Sequence, residues 1–295
     1  MFNIVIPTYN PKYLKDTILS IPENYRNEVL VVENGSKISE DIQSLGVNYV
    51  YLEEAGANMA RNHGWKQSEE DFVLFTDDDI TFGDGYFVRL EEYLTKYTPN
   101  IIGGNVTLVG ADKWVVGTFA KTLAELKWEE WSQSGSEIMF LNRKQNHYLV
   151  GANMCVKRSF LEAHGGFDEN FGYHKDRIPN DEQYLLDRAE CFLYSPLLKV
   201  YHNIKNRCNI DYMMERFKGQ AIADCRYYAQ FEPSRINFIK NFVMPMANSI
   251  INNDEVHKAR AEIKDETITE KFIIYFLSCK NAYLNSFLAE IANVY

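Results

Sequence analysis

No apolar run in this 295-residue chain approaches the roughly 20 residues that a membrane-spanning helix needs. Met1 leads almost directly into the short run Ile4-Val5-Ile6, without a leader segment, so the expectation is a soluble, cytoplasmic protein. Basic charge is also scarce: 31 Lys and Arg stand against 41 Asp and Glu, a net charge of -10. Phosphate backbones need basic surface, so nucleic acid is excluded as the main partner. Cysteine is sparse too. The five residues at 155, 191, 208, 225 and 279 are odd in number and lack metal-site spacing, which fits a reducing compartment and ordinary burial. What is plentiful is apolar material. At 46% hydrophobic and 14% aromatic, the chain can build one large core or a domain with an appendage.

The first part of the chain alternates strand and helix signals. Asn3 to Pro7 reads as a short buried strand, Thr8-Tyr9-Asn10-Pro11 as a turn, and the stretch to about Ser20 as a helix closed by Pro22. Strand signals recur at Glu28 to Glu33, ended by Asn34-Gly35-Ser36, at Asn48 to Leu52, and at Phe72 to Phe75. A helix of roughly Ala57 to Gln67 precedes the last of these. Repeated β-α-β units with short turns imply a parallel sheet covered by helices, whose ligands gather at the strand C-termini. Thr8, Asn10, Glu33, Asn34 and Asp77 to Asp79 all fall at such tips.

Further along, Ile101 to Val109 reads as another strand, with Gly103-Gly104 permitting a bulge or a close backbone approach. Residues 112 to 148 hold Trp114, Trp128 and Trp131, either as core packing or as the border of a cleft. Leu149 to Val156 is strand-like, and Gly165-Gly166-Phe167-Asp168 is a tight turn. From Lys205 the pattern turns helical.

The tripeptide Asp77-Asp78-Asp79 is the most pointed chemical signal. Adjacent carboxylates repel one another, so folding alone gives no reason to cluster them, whereas a divalent cation does. Oxygen ligands suit Mg²⁺ or Mn²⁺, often shared between one or two carboxylates and the phosphates of a substrate. Taken alone, the same residues fit a solvated acidic turn.

Ordered along the chain, Val5 to Asn10, Val31 to Ser36, Gly56 with Ala60 to Gly64, and Phe75 to Asp79 are followed by Gly151 to Met154, Gly165 to Glu169, Asn180-Asp181-Glu182 with Leu185 and Arg188, and Val200-Tyr201-His202. Over roughly residues 2 to 204 this series resembles glycosyltransferase family 2, the inverting sugar-nucleotide transferases of GT-A fold. The resemblance implies an α/β architecture with a mixed, mainly parallel sheet flanked by helices. A nucleotide-binding half of about 1–104 and an acceptor half of about 105–204 would precede a helical C-terminal extension, 205–295.

It also implies roles. Pro7, Thr8, Asn10, Glu33 and Asn34 would line the nucleotide site from the strand tips. Most members carry Asp at the position of Glu33 and often a second Asp at that of Asn34, which bears on the nucleotide's identity. Arg61 would meet the base and diphosphate, its planar donor fork suiting phosphate oxygens. Asp77 and Asp79 match the ends of the family's Asp-x-Asp motif, with Asp79 the main ligand of Mn²⁺ or Mg²⁺ and Asp78 toward the sugar or ribose. His202 would join the metal, Asn153 would lie beneath the donor sugar, and Gly166 and Phe167 would face the acceptor. Glu182 or Asp181 would be the general base; the family's order there is Glu-Asp, here inverted. Helix N-termini favour carboxylates for electrostatic reasons as well, so that pair has two readings.

The implied partners are a nucleoside-diphosphate sugar, most plainly a UDP-sugar, and a saccharide or lipid-linked saccharide acceptor of surface glycan synthesis. Residues 205 to 240 carry seven Lys and Arg against four Asp and Glu, so they are expected either to be a solvated face or to touch the inner face of a membrane. The C-terminal helices would pack on the body or on a second copy. Two other readings stand beside the transferase: a haloacid-dehalogenase-like phosphatase attacking phosphorus through Asp77 of the Asp77-Asp79 loop, and a non-catalytic sugar-nucleotide-binding scaffold.

Overall fold

The computed structural model describes residues 1–9, 11–35, 42–110, 137–143, 149–172, 182–204, 210–232, 234–244 and 281–294. Asn10, Trp114, Trp128, Trp131 and Asp181 lie outside the described residues. The chain divides into two compact units, one of Met1–Lys175 with Asp181–Lys205 and one of Asp176–Asn180 with Asn206–Tyr295.

In the first unit, strand β1 (Phe2–Thr8), helix α1 (Leu14–Leu19), β2 (Val29–Asn34), β3 (Asn48–Leu52), α2 (Ala57–Lys66), β4 (Phe72–Thr76), β5 (Ile80–Phe82) and α3 (Tyr86–Tyr97) follow one another. They are continued by β6 (Ile101–Val109), β7 (Met139–Leu141), β8 (Asn153–Lys157), α4 (Arg158–His164), α5 (Gln183–Arg188) and β9 (Phe192–Asn203). The strands form one nine-stranded sheet in the order β3-β2-β1-β4-β8-β6-β9-β5, with β7 paired to β9. Pairing is parallel from β3 through β4, and turns antiparallel where β8 joins β4. Beyond it only β6 and β9 run parallel. β1 and β4 are apolar on both faces and buried almost throughout, as strands covered by helices on either side must be.

The register places the functional crevice. β1 pairs with β2 as far as Thr8 opposite Glu33, but with β4 only as far as Val5 opposite Phe75. The tips of β1 and β4 therefore part at the point where the strand order reverses, which is where open α/β sheets take their ligands. Pro7 lies beyond the β4 ladder, so its missing N–H interrupts no bond to that strand. Farther along the sheet, beyond β8, β6 shifts register against β9 between Gly104 and Val106. A Cβ on Gly104 would stand 1.9 Å from the Leu198 carbonyl oxygen, which is why glycine is required there.

Helix α2 lies against β1 by the same device. A Cβ on Gly64 would fall 2.4 Å from Cγ1 of Val5, so the glycine sets how closely helix and sheet approach. At the start of α3, the rings of Phe2, Tyr25, Phe82, Tyr86 and Phe87 meet in one aromatic cluster, partly stacked and partly edge-on. Burial, with the nearby Cys155 adding to it, pushes the Tyr86 hydroxyl well above its ordinary pKa, and that hydroxyl donates to Oδ1 of Asn153 at 2.5 Å.

The second unit contains α6 (Ile210–Ala229), α7 (Arg235–Phe238), a π-helical turn Ile239–Val243 and a helix α8 over 281–294. Its core gathers Ala221, Cys225, Phe238, Phe287 and Ile291. Tyr283 donates to Asp224 at 2.6 Å and Arg226 pairs with Glu290 at 2.7 Å, fixing α6 to α8. Burial, reinforced by Glu290, pushes the Cys225 thiol up to about 12. Lys218 pairs with Glu215, so two basic residues of the 205–240 stretch are matched by carboxylates within this unit. Among the described residues, no helix is long and apolar enough to cross a membrane.

Candidate active site

The three aspartates leave β4 at its C-terminal tip, and each meets a side chain from a different element. The Arg61 guanidinium on α2 reaches Asp77 Oδ1 at 3.2 Å. The Thr8 hydroxyl at the end of β1 donates to Asp78 Oδ2. Nε2 of His202 stands 3.0 Å from Asp79 Oδ1. The last contact is dictated by pairing: β5 runs antiparallel to β9 with Ile80 opposite His202, and the Asn203 amide donates to the Asp79 carbonyl at 2.9 Å. Thr17 of α1, fully buried, accepts from the Ile80 amide at 3.1 Å and fixes the exit of the tripeptide.

One ligand atom each from Asp77, Asp79 and His202 lies within 4.8 Å of the others. Asp79 is 4% exposed, so its charge is held out of water. Two carboxylates and an imidazole offer two hard oxygens and one nitrogen, a donor set that fits Mn²⁺ or Mg²⁺ with positions left for phosphate oxygens and water.

Glu182 stands immediately before α5, without a capping hydrogen bond from its side chain, and a Cβ built on Gly151 would stand 3.5 Å from both Glu182 Oε2 and Arg61 Nη2. The carboxylate proposed as base and the guanidinium beside Asp77 thus face the same small space over Gly151. Asp181, its alternative, is outside the described residues, as is Asn10.

Asn34, Glu33 and Asn153, also expected at the donor site, make contacts within the framework. Asn34 donates from Nδ2 to the Thr8 carbonyl at 2.9 Å and accepts the Gly56 amide at 2.8 Å, tying β2 to β1 and to the start of α2. Glu33 is fully buried, with the Tyr49 hydroxyl donating to it at 2.6 Å. Burial first, and then this carboxylate, drives the Tyr49 pKa far upward. Asn153, expected beneath the donor sugar, is 1% exposed; it accepts from Tyr86 and donates to the Leu198 carbonyl at 2.8 Å, so its amide pins α3, β8 and β9 together.

Phe167 is enclosed in the same way. Its ring is 3% exposed, packs edge-on against Phe75 with centroids 4.8 Å apart, and lies beneath the Arg61 guanidinium at 5.7 Å. Gly166 has φ +79°, and a Cβ there would meet Asn62 Oδ1 at 2.4 Å, so this glycine serves close packing against α2.

The sequence reading passed over Asn58 and Asn62. With Arg61 and Trp65 they form one stripe of α2 at i, i+3, i+4 and i+7, all 7% exposed or less. Polar side chains at that spacing on a buried helix face are the signal that would have found them.

The family model described as Glycosyl transferase family 2 matches residues 3–165, more than half of the chain. Glycosyltransferase GlyA of Streptococcus pneumoniae is 30% identical over 112 residues, which cover 35% of this chain and 16% of that protein. The chain thus corresponds to a minor part of the length of this curated relative. Among solved structures, Staphylococcus aureus TarS 1–349 aligns with a TM-score of 0.52 at 16% identity, covering 98% of this chain and 90% of that one. TarS 1–349 has also been solved with UDP-GlcNAc, at a TM-score of 0.50. The mannosyltransferase PcManGT of Pyrobaculum calidifontis, solved with GDP-Man and Mn²⁺, aligns with a TM-score of 0.52 at 15% identity, covering 99% of this chain and 74% of that one. These likenesses show a common GT-A fold, and the sequence match supplies the rest: this chain belongs to glycosyl transferase family 2.

Proposed function

We propose that the chain is a metal-dependent, inverting glycosyltransferase that moves a hexose or N-acetylhexosamine from a nucleoside-diphosphate sugar, a UDP-sugar first, to a hydroxyl of a saccharide or lipid-linked saccharide. Its setting would be the synthesis of a surface polysaccharide or glycoconjugate on the cytoplasmic side. The observation that carries this reading is the cluster of Asp77, Asp79 and His202 beside Arg61, with Glu182 across Gly151.

In this reading Asp77, Asp79 and His202 hold Mn²⁺ or Mg²⁺, and the cation, when bound, offsets the charge that develops on the departing diphosphate. Arg61 turns its forked donors to the same phosphate oxygens. Glu182 accepts the proton of the attacking hydroxyl on the face of the sugar opposite the leaving group, a contribution of about 10²–10⁴-fold to the rate. Thr8 holds Asp78 at the rim of the donor site. Support for a UDP-sugar comes from the TarS complex and for a GDP-sugar from PcManGT, so the nucleotide is the first thing to measure. Family membership removes the ground for the phosphatase reading of Asp77 to Asp79.

The test is thermal stability with UDP, GDP, dTDP and CDP, each with and without Mn²⁺. A ligand at about 100 times its Kd adds about 2.7 kcal/mol to native stability. The expected result is a rise for one nucleotide that requires the metal and is absent in Asp79→Ala. A rise independent of metal, or none with any nucleotide, contradicts the proposal.

A further inference from the structure

Arg61 is held in a bed that no nucleotide contact requires. Nη1 donates to Oδ1 of Asn58 at 3.1 Å, one turn back on α2, and the guanidinium lies over the Phe167 ring. Phe167 is itself gripped by its backbone. Asn62 Nδ2 donates to the Phe167 carbonyl at 2.8 Å, and Asn62 Oδ1 accepts the Phe167 amide at 2.9 Å. The same Oδ1 takes the Trp65 indole N–H at 2.9 Å, and Nδ2 also reaches Glu169 Oε1 at 2.7 Å, so the Asn62 amide is saturated. Asn58 adds a second tether, donating to the Asp168 carbonyl at 2.8 Å. Glycine at 166 and 172 lets the loop come this near, since a Cβ at either position would press within 3.0 Å of Asn62 or Asn58.

From this we infer that Asn58, Asn62 and Phe167 are positioning residues for Arg61. Two asparagines of α2 fix a remote loop, and the loop returns an aromatic face that holds the guanidinium of the same helix against Asp77. The arrangement closes on itself: helix, loop backbone, aromatic ring, and back to the helix. A buried side chain nine-tenths enclosed and packed on a ring has few rotamers left, so its donors are aimed before any ligand arrives. Chemically, the group aimed at is the diphosphate of the donor, and the inference rests on the donor-site reading above.

A diphosphate contact can be separated from a general loss of packing by comparing nucleotides that differ in one phosphate. The experiment measures Kd by calorimetry, with Mn²⁺, for UDP and UMP, or for GDP and GMP if GDP is the nucleotide that raises the melting temperature. In Phe167→Leu, which keeps an apolar side chain against Phe75, and in Asn62→Ala, the diphosphate is expected to lose about tenfold in affinity, the scale of a charge-assisted contact. The monophosphate stays within about twofold, because it lacks the group that Arg61 addresses. In an Arg61→Ala background, Phe167→Leu adds nothing further, as a residue acting through Arg61 requires.

An unchanged ratio of diphosphate to monophosphate affinity, whether both hold or both fall together, overturns the inference. So does a full effect of Phe167→Leu without Arg61. If wild-type protein binds none of these nucleotides, the donor-site reading fails first and this inference falls with it. Should Asn62→Ala prove too unstable to assay, Phe167→Leu and Asn58→Ala carry the same comparison.

Discussion

Alanine at Gly166 and alanine at Gly165 make a matched pair that tests how α2 holds its loop. Both glycines adopt left-handed backbone, φ +79° and +77°. An L side chain in that region costs roughly 1–2 kcal/mol, so Gly165→Ala, whose Cβ would meet nothing within 4 Å, should lose about 1 kcal/mol. Gly166→Ala carries the same backbone cost and more. Its Cβ would stand 2.4 Å from Asn62 Oδ1 and 2.6 Å from Trp65 Nε1, so the Asn62 carbonyl must move off the two N–H groups it accepts. Each broken bond in a buried setting is worth about 1 kcal/mol or somewhat more, giving a total near 3–5 kcal/mol for Gly166→Ala. Urea unfolding followed by circular dichroism, with linear extrapolation, resolves a gap of that size. Equal losses for the two variants would refute the reasoning, since backbone strain alone would then account for both. Nucleotide affinity should follow the same order, falling in Gly166→Ala and holding in Gly165→Ala.

Other expectations concern the site and the scaffold. Glu182→Gln should keep the metal-dependent melting shift and lower turnover by about 10²–10⁴-fold; unchanged turnover moves the base to Asp181 or elsewhere. Gly64→Ala drives a methyl to 2.4 Å from Val5 Cγ1 and should cost about 1–3 kcal/mol by the same unfolding assay, an absence of effect showing that α2 can lift from the sheet. The raised Cys225 pKa implies stability that is complete below pH 9.0 and is lost as pH rises toward about 12, because the folded state favours the neutral thiol. Melting curves of wild type and Cys225→Ala across that range should converge at the alkaline end, and parallel curves would count against it.

The strand tips were legible because the chain marks them with apolar runs ended by Thr8, Asn34 and Thr76, and the motif series identified the family from residues that sit at those tips. Pairing His202 with the aspartates was legible through resemblance alone; what places it physically is the antiparallel pairing of β5 with β9, which no local pattern announces. Asn34, Asn153 and Phe167 make framework contacts that the sequence does not announce. Each is a polar or aromatic residue beside the site, and no local pattern marks partners that lie 22 to 92 positions away. The spacing of the α2 stripe is visible in the sequence, but what it holds was hidden likewise, since Asn62 finds the Phe167 backbone 105 positions downstream.

The central claim is transfer from a nucleotide sugar with inversion at the anomeric carbon. It is tested most directly by incubating the protein with Mg²⁺ and the α-linked nucleotide sugar whose nucleotide raises the melting temperature, with water as the acceptor in place of the saccharide hydroxyl. The anomeric configuration of the first product is then read by proton NMR before it equilibrates. The account predicts a β-configured product together with released nucleoside diphosphate, both abolished by EDTA and by Asp79→Ala. An α-configured product, or inorganic phosphate in place of the nucleoside diphosphate, would contradict it.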